Sequence, residues 1–165
     1  MRVLSISPMR TTIILTCLFV SITSYSQTKQ DSSLIFEKSK GLLKQPLTNF
    51  IKVPQLKVAE KDKHLLGKTV TYITQRADSV KSIFEGKIVS IEEVGGAYLV
   101  MTQYGDYSIA YYGLSKPALK KGSNLKRNQF ISTLSKTSFG QYFLTVQFYY
   151  NNSEVDPNDW LKRAP

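Results

Sequence analysis

From Gly86 to Leu114 apolar residues fall at strand spacing: Ile88, Val89 and Ile91, then Tyr98 and Val100, then Tyr107, Ile109 and Tyr111. A period of two marks half-buried strands. Gly95-Gly96 and Gly105-Asp106 interrupt the run where hairpin turns would sit, so the stretch predicts a β-meander. Ahead of it, residues 69–74 are rich in β-branched side chains and predict a strand, residues 75–78 a polar turn, and residues 79–84 another strand. Residues 50–54 predict a first edge strand, with Pro46 and Pro54 suited to edges and turns because proline cannot donate to a ladder. Residues 57–64 are charged and read as a loop, Gly122 among its lysines reads as a β-turn, and residues 142–149 predict the last strand.

The start of the chain follows a different pattern. Arg2 and Arg10 give a basic beginning, residues 12–20 an apolar run, and residues 24–27 are small or polar. This predicts a secretory signal peptide over residues 1–26, cleaved after Ser26, and an exported chain that is periplasmic or secreted. The run is too short to span a bilayer, so no transmembrane segment is expected in the mature chain. Cys17 is the only cysteine. A lipidation site would want a small residue before it, whereas Thr16 stands there. Cleavage after Ser26 would leave no thiol and exclude disulfides. Residues 27–39 are polar apart from Leu34-Ile35-Phe36 and predict a flexible leader or the tip of a short helix; residues 40–165 predict one domain.

The formal charge is +10, and loss of Arg2 and Arg10 with the signal would leave +8. Outside the cytoplasm the polyanions on offer are wall polymers, carboxylates of murein stem peptides and anionic lipids. Nucleic acid suits the charge but not the compartment. A basic surface that only maintains solubility is the alternative.

Several short motifs then line up with one family. Lys40-Gly41-Leu42-Leu43-Lys44-Gln45-Pro46-Leu47, Glu85-Gly86-Lys87-Ile88, Gly95-Gly96, Tyr104-Gly105, Tyr107-Ser108-Ile109-Ala110-Tyr111, Leu114-Ser115, the lysine-flanked Gly122 turn, and Asp156-Pro157-Asn158-Asp159-Trp160-Leu161 resemble the core of lysostaphin-type zinc metalloendopeptidases, which cut murein. The resemblance covers roughly Lys40 to the C-terminus. It implies an all-β fold, an antiparallel sheet or sandwich of the lysostaphin-type (LytM-like, duplicated hybrid motif) kind. It also implies which positions should carry chemistry. Gly67 stands in the place of the first zinc-binding histidine, Thr71 in that of the zinc-binding aspartate, Tyr104 in that of a catalytic histidine, and Phe143 and Thr145 in those of the closing His-x-His pair, with Gln147 at the glutamate of that motif.

A catalytic zinc of this kind needs about three imidazole or carboxylate ligands and an open position for water. Glycine offers no ligand and threonine only a neutral hydroxyl. His64, the only histidine, has no partners at the matching sites; an exposed loop histidine is the default. With so few members available, Ser-His-Asp and Cys-His arrangements are not expected either. Glu92 and Glu93 are adjacent, so on a strand they point to opposite faces and do not make an acid pair. No cofactor, no metal and no catalytic residue is therefore expected. What the residues leave is a vestigial groove of Gly67, Thr71, Tyr104, Tyr107, Phe143, Thr145 and Gln147, whose tyrosines could stack on sugars or fill the abandoned pocket.

The resemblance to inactive members of the murein hydrolase activator type implies a pseudopeptidase that binds a cell-wall amidase or another envelope protein. A protein that binds peptidoglycan or glycan by itself is the alternative. A peptidase with unorthodox ligands is the enzyme-class reading, against which the residues at Gly67, Thr71 and Thr145 argue.

Overall fold

The structure, a computed structural model, describes residues 30–53 and 68–162. Its strands are β1 (Ile51–Val53), β2 (Thr69–Thr74), β3 (Ser79–Lys81), β4 (Gly86–Val94), β5 (Ala97–Tyr104), β6 (Tyr107–Leu114), β7 (Asn124–Leu125), β8 (Phe130–Thr133), β9 (Tyr142–Tyr150) and β10 (Ser153–Val155). One sheet runs β1-β2-β9-β6-β5-β4-β7 with β10 paired to β9, and β3 pairs with β8 in a second, two-stranded sheet. Every pairing between these strands is antiparallel. The fold is built on antiparallel β-sheet, the all-β architecture that the motifs imply.

The meander forms where the alternation places it, as β4, β5 and β6. Gly95 and Gly96 both adopt positive φ (60° and 80°) between β4 and β5, a combination that a two-residue hairpin turn requires and side chains resist. Asn151 and Asn152 do the same between β9 and β10 (47° and 65°), which makes a tenth strand that the apolar pattern alone does not announce. β3 is shorter than the predicted strand over residues 79–84. Ser82 leaves the ladder because its N–H donates to the Gln129 carbonyl at 2.8 Å and its hydroxyl to the Lys126 carbonyl at 2.6 Å, while the Ile83 N–H donates to the Tyr111 hydroxyl at 2.9 Å.

One face of the large sheet makes the core. Leu144, Val146 and Phe148 of β9, Ile109 and Tyr111 of β6, Val100 of β5 and Ile88 of β4 are all buried there. The inner residues come from alternate positions, as strand geometry demands.

The predicted leader over residues 27–39 needs correction where it is described. Residues 30–37 are helical, the short-helix alternative, and Phe36 is only 1% exposed. Its ring lies against Phe84, Tyr107, Phe148 and Trp160, stacked on Tyr107 at 4.4 Å between centroids. The polar composition around it is the outer surface of a helix whose single inward aromatic completes the core. A domain boundary at residue 40 therefore cuts through packed structure. Close by, Leu43 bridges Leu161, and the N–H of Gly41 donates to the Asp159 carbonyl at 2.8 Å, so both ends of the described chain are tied together.

Candidate functional site

Antiparallel partners project their side chains to the same side of a sheet. Thr71 of β2 is paired with Thr145 of β9, and Thr145 in turn with Tyr112 of β6. Thr69 and Ala110 both pair with Gln147, and Ile73 with Phe143. Thr71, Phe143, Thr145 and Gln147 therefore share the face opposite the core. The structure does bring these four together.

Thr71 and Thr145 use their hydroxyls on each other, Oγ1 to Oγ1 at 3.2 Å. Gln147 Oε1 accepts from the Tyr149 hydroxyl at 3.1 Å, and the Tyr149 hydroxyl is pushed above its ordinary pKa by burial and by the Glu154 carboxylate. Phe143 packs its ring against Tyr112, centroids 5.7 Å apart. Gly113 lies close to the same strand: a Cβ built on it would stand 2.3 Å from the Phe143 carbonyl oxygen, and its φ is +102°. No side chain can enter the site from that position. Beside Phe143 a cleft of about 520 Å³ opens between the Gly95-Gly96 turn and residues 135–141, walled by Tyr112, Lys136, Gln141 and Phe139. Phe139 is 91% exposed.

Tyr104 and Tyr107 do not belong to this face, and the predicted groove must be corrected by removing them. They pair with each other at the β5–β6 hairpin, in line with Thr102–Ile109 and Val100–Tyr111, all on the core side. Tyr104 meets Phe84 edge-on at 5.0 Å. Tyr107 is 6% exposed, stacks on Phe36, and donates its hydroxyl to the Glu37 carboxylate. Burial, with the bond to Glu37 second, raises the Tyr107 pKa; the hydrogen bonds from Lys40 and then Tyr107 lower that of Glu37. A residue at position 104 faces away from Thr71 and Thr145, whereas Ser108, Ala110 and Tyr112 of β6 pair with the β9 residues of the open face. The alternation Val100-x-Thr102-x-Tyr104 in the sequence carries this information. Tyr112 and Phe139 have no such signal, because their role comes from β6 and the 135–141 loop meeting Phe143. Gly67 and His64 lie outside the described residues.

The described part of the site does not fit a zinc ion. Its two candidate ligand positions hold neutral hydroxyls bonded to one another, with an apolar ring beside them. Among the described residues no group of three or more His, Cys, Asp or Glu side chains is placed to hold a metal. Around Thr71 and Thr145 the side chains are neutral instead: hydroxyls, a carboxamide and aromatic rings. Among the described residues no helix is long and apolar enough to cross a membrane.

Known proteins place this fold. The chain is similar to Csd3 of Helicobacter pylori, at 22% identity and a TM-score of 0.60 over 76% of this chain and 36% of that one. It is similar to a chain of the SpoIIIAH and SpoIIQ complex, at 18% identity and a TM-score of 0.58 over 68% of this chain and 95% of that one. It is also similar to the antimicrobial peptidase lysostaphin of Staphylococcus simulans, at 24% identity and a TM-score of 0.53 over 66% of this chain and 48% of that one. The aligned part thus spans only about a third of Csd3 and half of lysostaphin. No curated protein matches the sequence. The model of peptidase family M23 matches residues 66–157, from just ahead of β2 to the Asp156-Pro157 motif and so more than half of the sequence, and the chain belongs to that family.

Proposed function

We propose that the protein is an exported, catalytically silent member of peptidase family M23 that serves as a binding module of the cell envelope and activates a separate cell-wall hydrolase, such as an amidase. The observation that carries this reading is the Thr71–Thr145 hydroxyl pair in the place of zinc ligands. Neutral hydroxyls do not lower the pKa of a water as a zinc ion does, and Phe143 cannot orient one. A folded face without hydrolytic chemistry is left to bind. The similar chain in the SpoIIIAH and SpoIIQ complex supports the partner half, since a domain of this fold is found there in an assembly of two proteins.

A metal-replete preparation is expected to contain no stoichiometric zinc by elemental analysis and to leave the turbidity of purified sacculi unchanged. One zinc per chain together with clearing overturns the pseudopeptidase reading. For the partner, the mature domain is used as bait in envelope extract beside sedimentation with sacculi. Recovery of a hydrolase that the domain stimulates supports activation.

A second reading, direct glycan binding, is favoured by the make-up of the open face. Thr71, Thr145, Ser108 and Gln147 supply neutral hydrogen-bonding groups next to the rings of Tyr112 and Tyr149, and sugars are recognised by such rings and hydroxyls. Pelleting with sacculi in the absence of any protein partner supports that reading over activation.

A further inference from the structure

Across the sheet from Thr71 and Thr145, the β4–β7 edge gathers cations. Lys81, Lys87, Lys120, Lys121, Lys126 and Arg127 are all exposed. The backbone holds them together. Lys87 is paired with Asn124 of β7, the Ile88 N–H donates to the Ser123 carbonyl at 2.9 Å, and the Gly122 N–H donates to the Ile88 carbonyl at 2.8 Å, which fixes the Lys120-Lys121 turn against β4. Ser82 bonds Lys126 and Gln129 as described, which fixes the second turn beside Lys81. The acid next to these cations, Glu85, is bonded by Arg127, Nε to Oε2 at 3.0 Å, that guanidinium also lies over the Phe84 ring at 4.1 Å, and the other acids of β4, Glu92 and Glu93, stand at its far end. Among the described residues none of the five lysines is in an ion pair. β7 ends the strand order, so no further strand of the described fold covers this edge.

Like charges held on an ordered edge repel one another, and a polyanion relieves that repulsion while releasing its counterions. The geometry selects among polyanions. The cations stand on two turns and two strands around an edge, and Phe130, 49% exposed, is the one large apolar side chain exposed beside them. A flat membrane surface would meet only those cations that share a plane, and insertion would call for a broad apolar face among the lysines. A chain that follows the edge can meet several lysines in succession. We propose that the β4–β7 edge is a docking surface for a linear polyanion, an anionic polymer rather than a lipid headgroup, and that it is separate from the Thr71–Thr145 pair, several strands across the sheet.

The test uses the mature protein with long-chain inorganic polyphosphate as the probe, over a series of salt concentrations. A variant carrying Lys87→Gln, Lys120→Gln, Lys121→Gln and Lys126→Gln is set beside a control that removes the same charge elsewhere, Lys38→Gln, Lys44→Gln, Lys68→Gln and Lys162→Gln. All eight side chains are exposed, so both variants are expected to melt like wild type. The edge variant should bind about tenfold more weakly or worse, with a shallower dependence of log K on log salt, since that slope counts the charges paired. The control should stay within about threefold of wild type at matched salt. A control that loses as much as the edge variant overturns the proposal in favour of net charge alone, and an edge variant that binds like wild type overturns it outright. Wild-type binding to phosphatidylglycerol vesicles with none to polyphosphate overturns the choice of a polymer.

Discussion

The two faces of the strands β6 and β9 carry different kinds of residue. On the inner face Tyr111, Leu144, Val146 and Phe148 are fully buried, and each contributes the roughly 2 kcal/mol or more that burying a large apolar side chain provides. On the outer face, a residue away in each case, stand Tyr112, Phe143, Thr145 and Gln147, half-exposed and neutral. The inner face is constrained by volume, since a misfit there leaves a void or a clash. The outer face is constrained only by whatever it binds. Thr71 and Thr145, at the positions the resemblance gives to metal ligands, therefore stand where a change of side chain leaves the packing of the inner face untouched.

The sharpest way to break this contrast is at Phe36, where a residue outside the sheet completes the inner face. Phe36→Ala removes the ring contacts to Phe84, Tyr107, Phe148 and Trp160 and should cost about 3–5 kcal/mol, read by urea unfolding. A loss under about 1 kcal/mol would mean that residues 30–37 are not part of the cooperative unit and behave as a flexible leader.

That segment also marks where the sequence stops being legible. Strands β4, β5, β6 and β9 can be read from period-two alternation and glycine pairs because both signals are local. Phe36 could not be read as core, since one aromatic in a polar stretch has no period, and its burial is decided by Trp160 and Phe148 more than a hundred residues away. At the site, the positions of Thr71, Phe143 and Thr145 on one face follow from the motifs, whereas motif order also groups Tyr104 and Tyr107 with them. Their own alternation with Val100 and Ile109 sends them inward. Motif order gives proximity along the chain, and strand parity decides the face.

Tyr104→Ala tests that parity. The ring is partly buried and meets Phe84 at its edge, so truncation should cost about 1–3 kcal/mol, less than Phe36→Ala, and leave binding by the open face unchanged. A variant as stable as wild type that binds sacculi or partner poorly would return Tyr104 to the groove. On the outer face, Thr145→Val keeps the shape and removes the hydroxyl partner of Thr71. Water can replace that partner at a half-exposed site, so the expected loss is under about 1 kcal/mol in thermal unfolding. A larger loss would show that the open face is as constrained by packing as the core.

The smallest effect lies where the inner face reaches solvent, at Glu37. Its carboxylate accepts hydrogen bonds from Lys40 and from Tyr107, which hold its pKa below the ordinary 4.5, Lys40 contributing most. A carboxyl whose folded pKa is depressed contributes stability that is present above the unfolded value and lost as the pH falls through the folded one. Wild type should therefore lose melting temperature below about pH 4.5 more steeply than Glu37→Gln, which cannot titrate there. The opposite limb belongs to Tyr107. Its pKa is raised above the ordinary 10, so its contribution is complete below that pH and fades only in stronger alkali. Because Glu37 and Lys40 are largely exposed, the acid limb should be slight and should shrink further as salt is added. Parallel melting curves for wild type and Glu37→Gln from pH 7 to pH 3 would show that the Glu37 carboxylate only decorates the Tyr107 hydroxyl and does not help to hold the helix to the sheet.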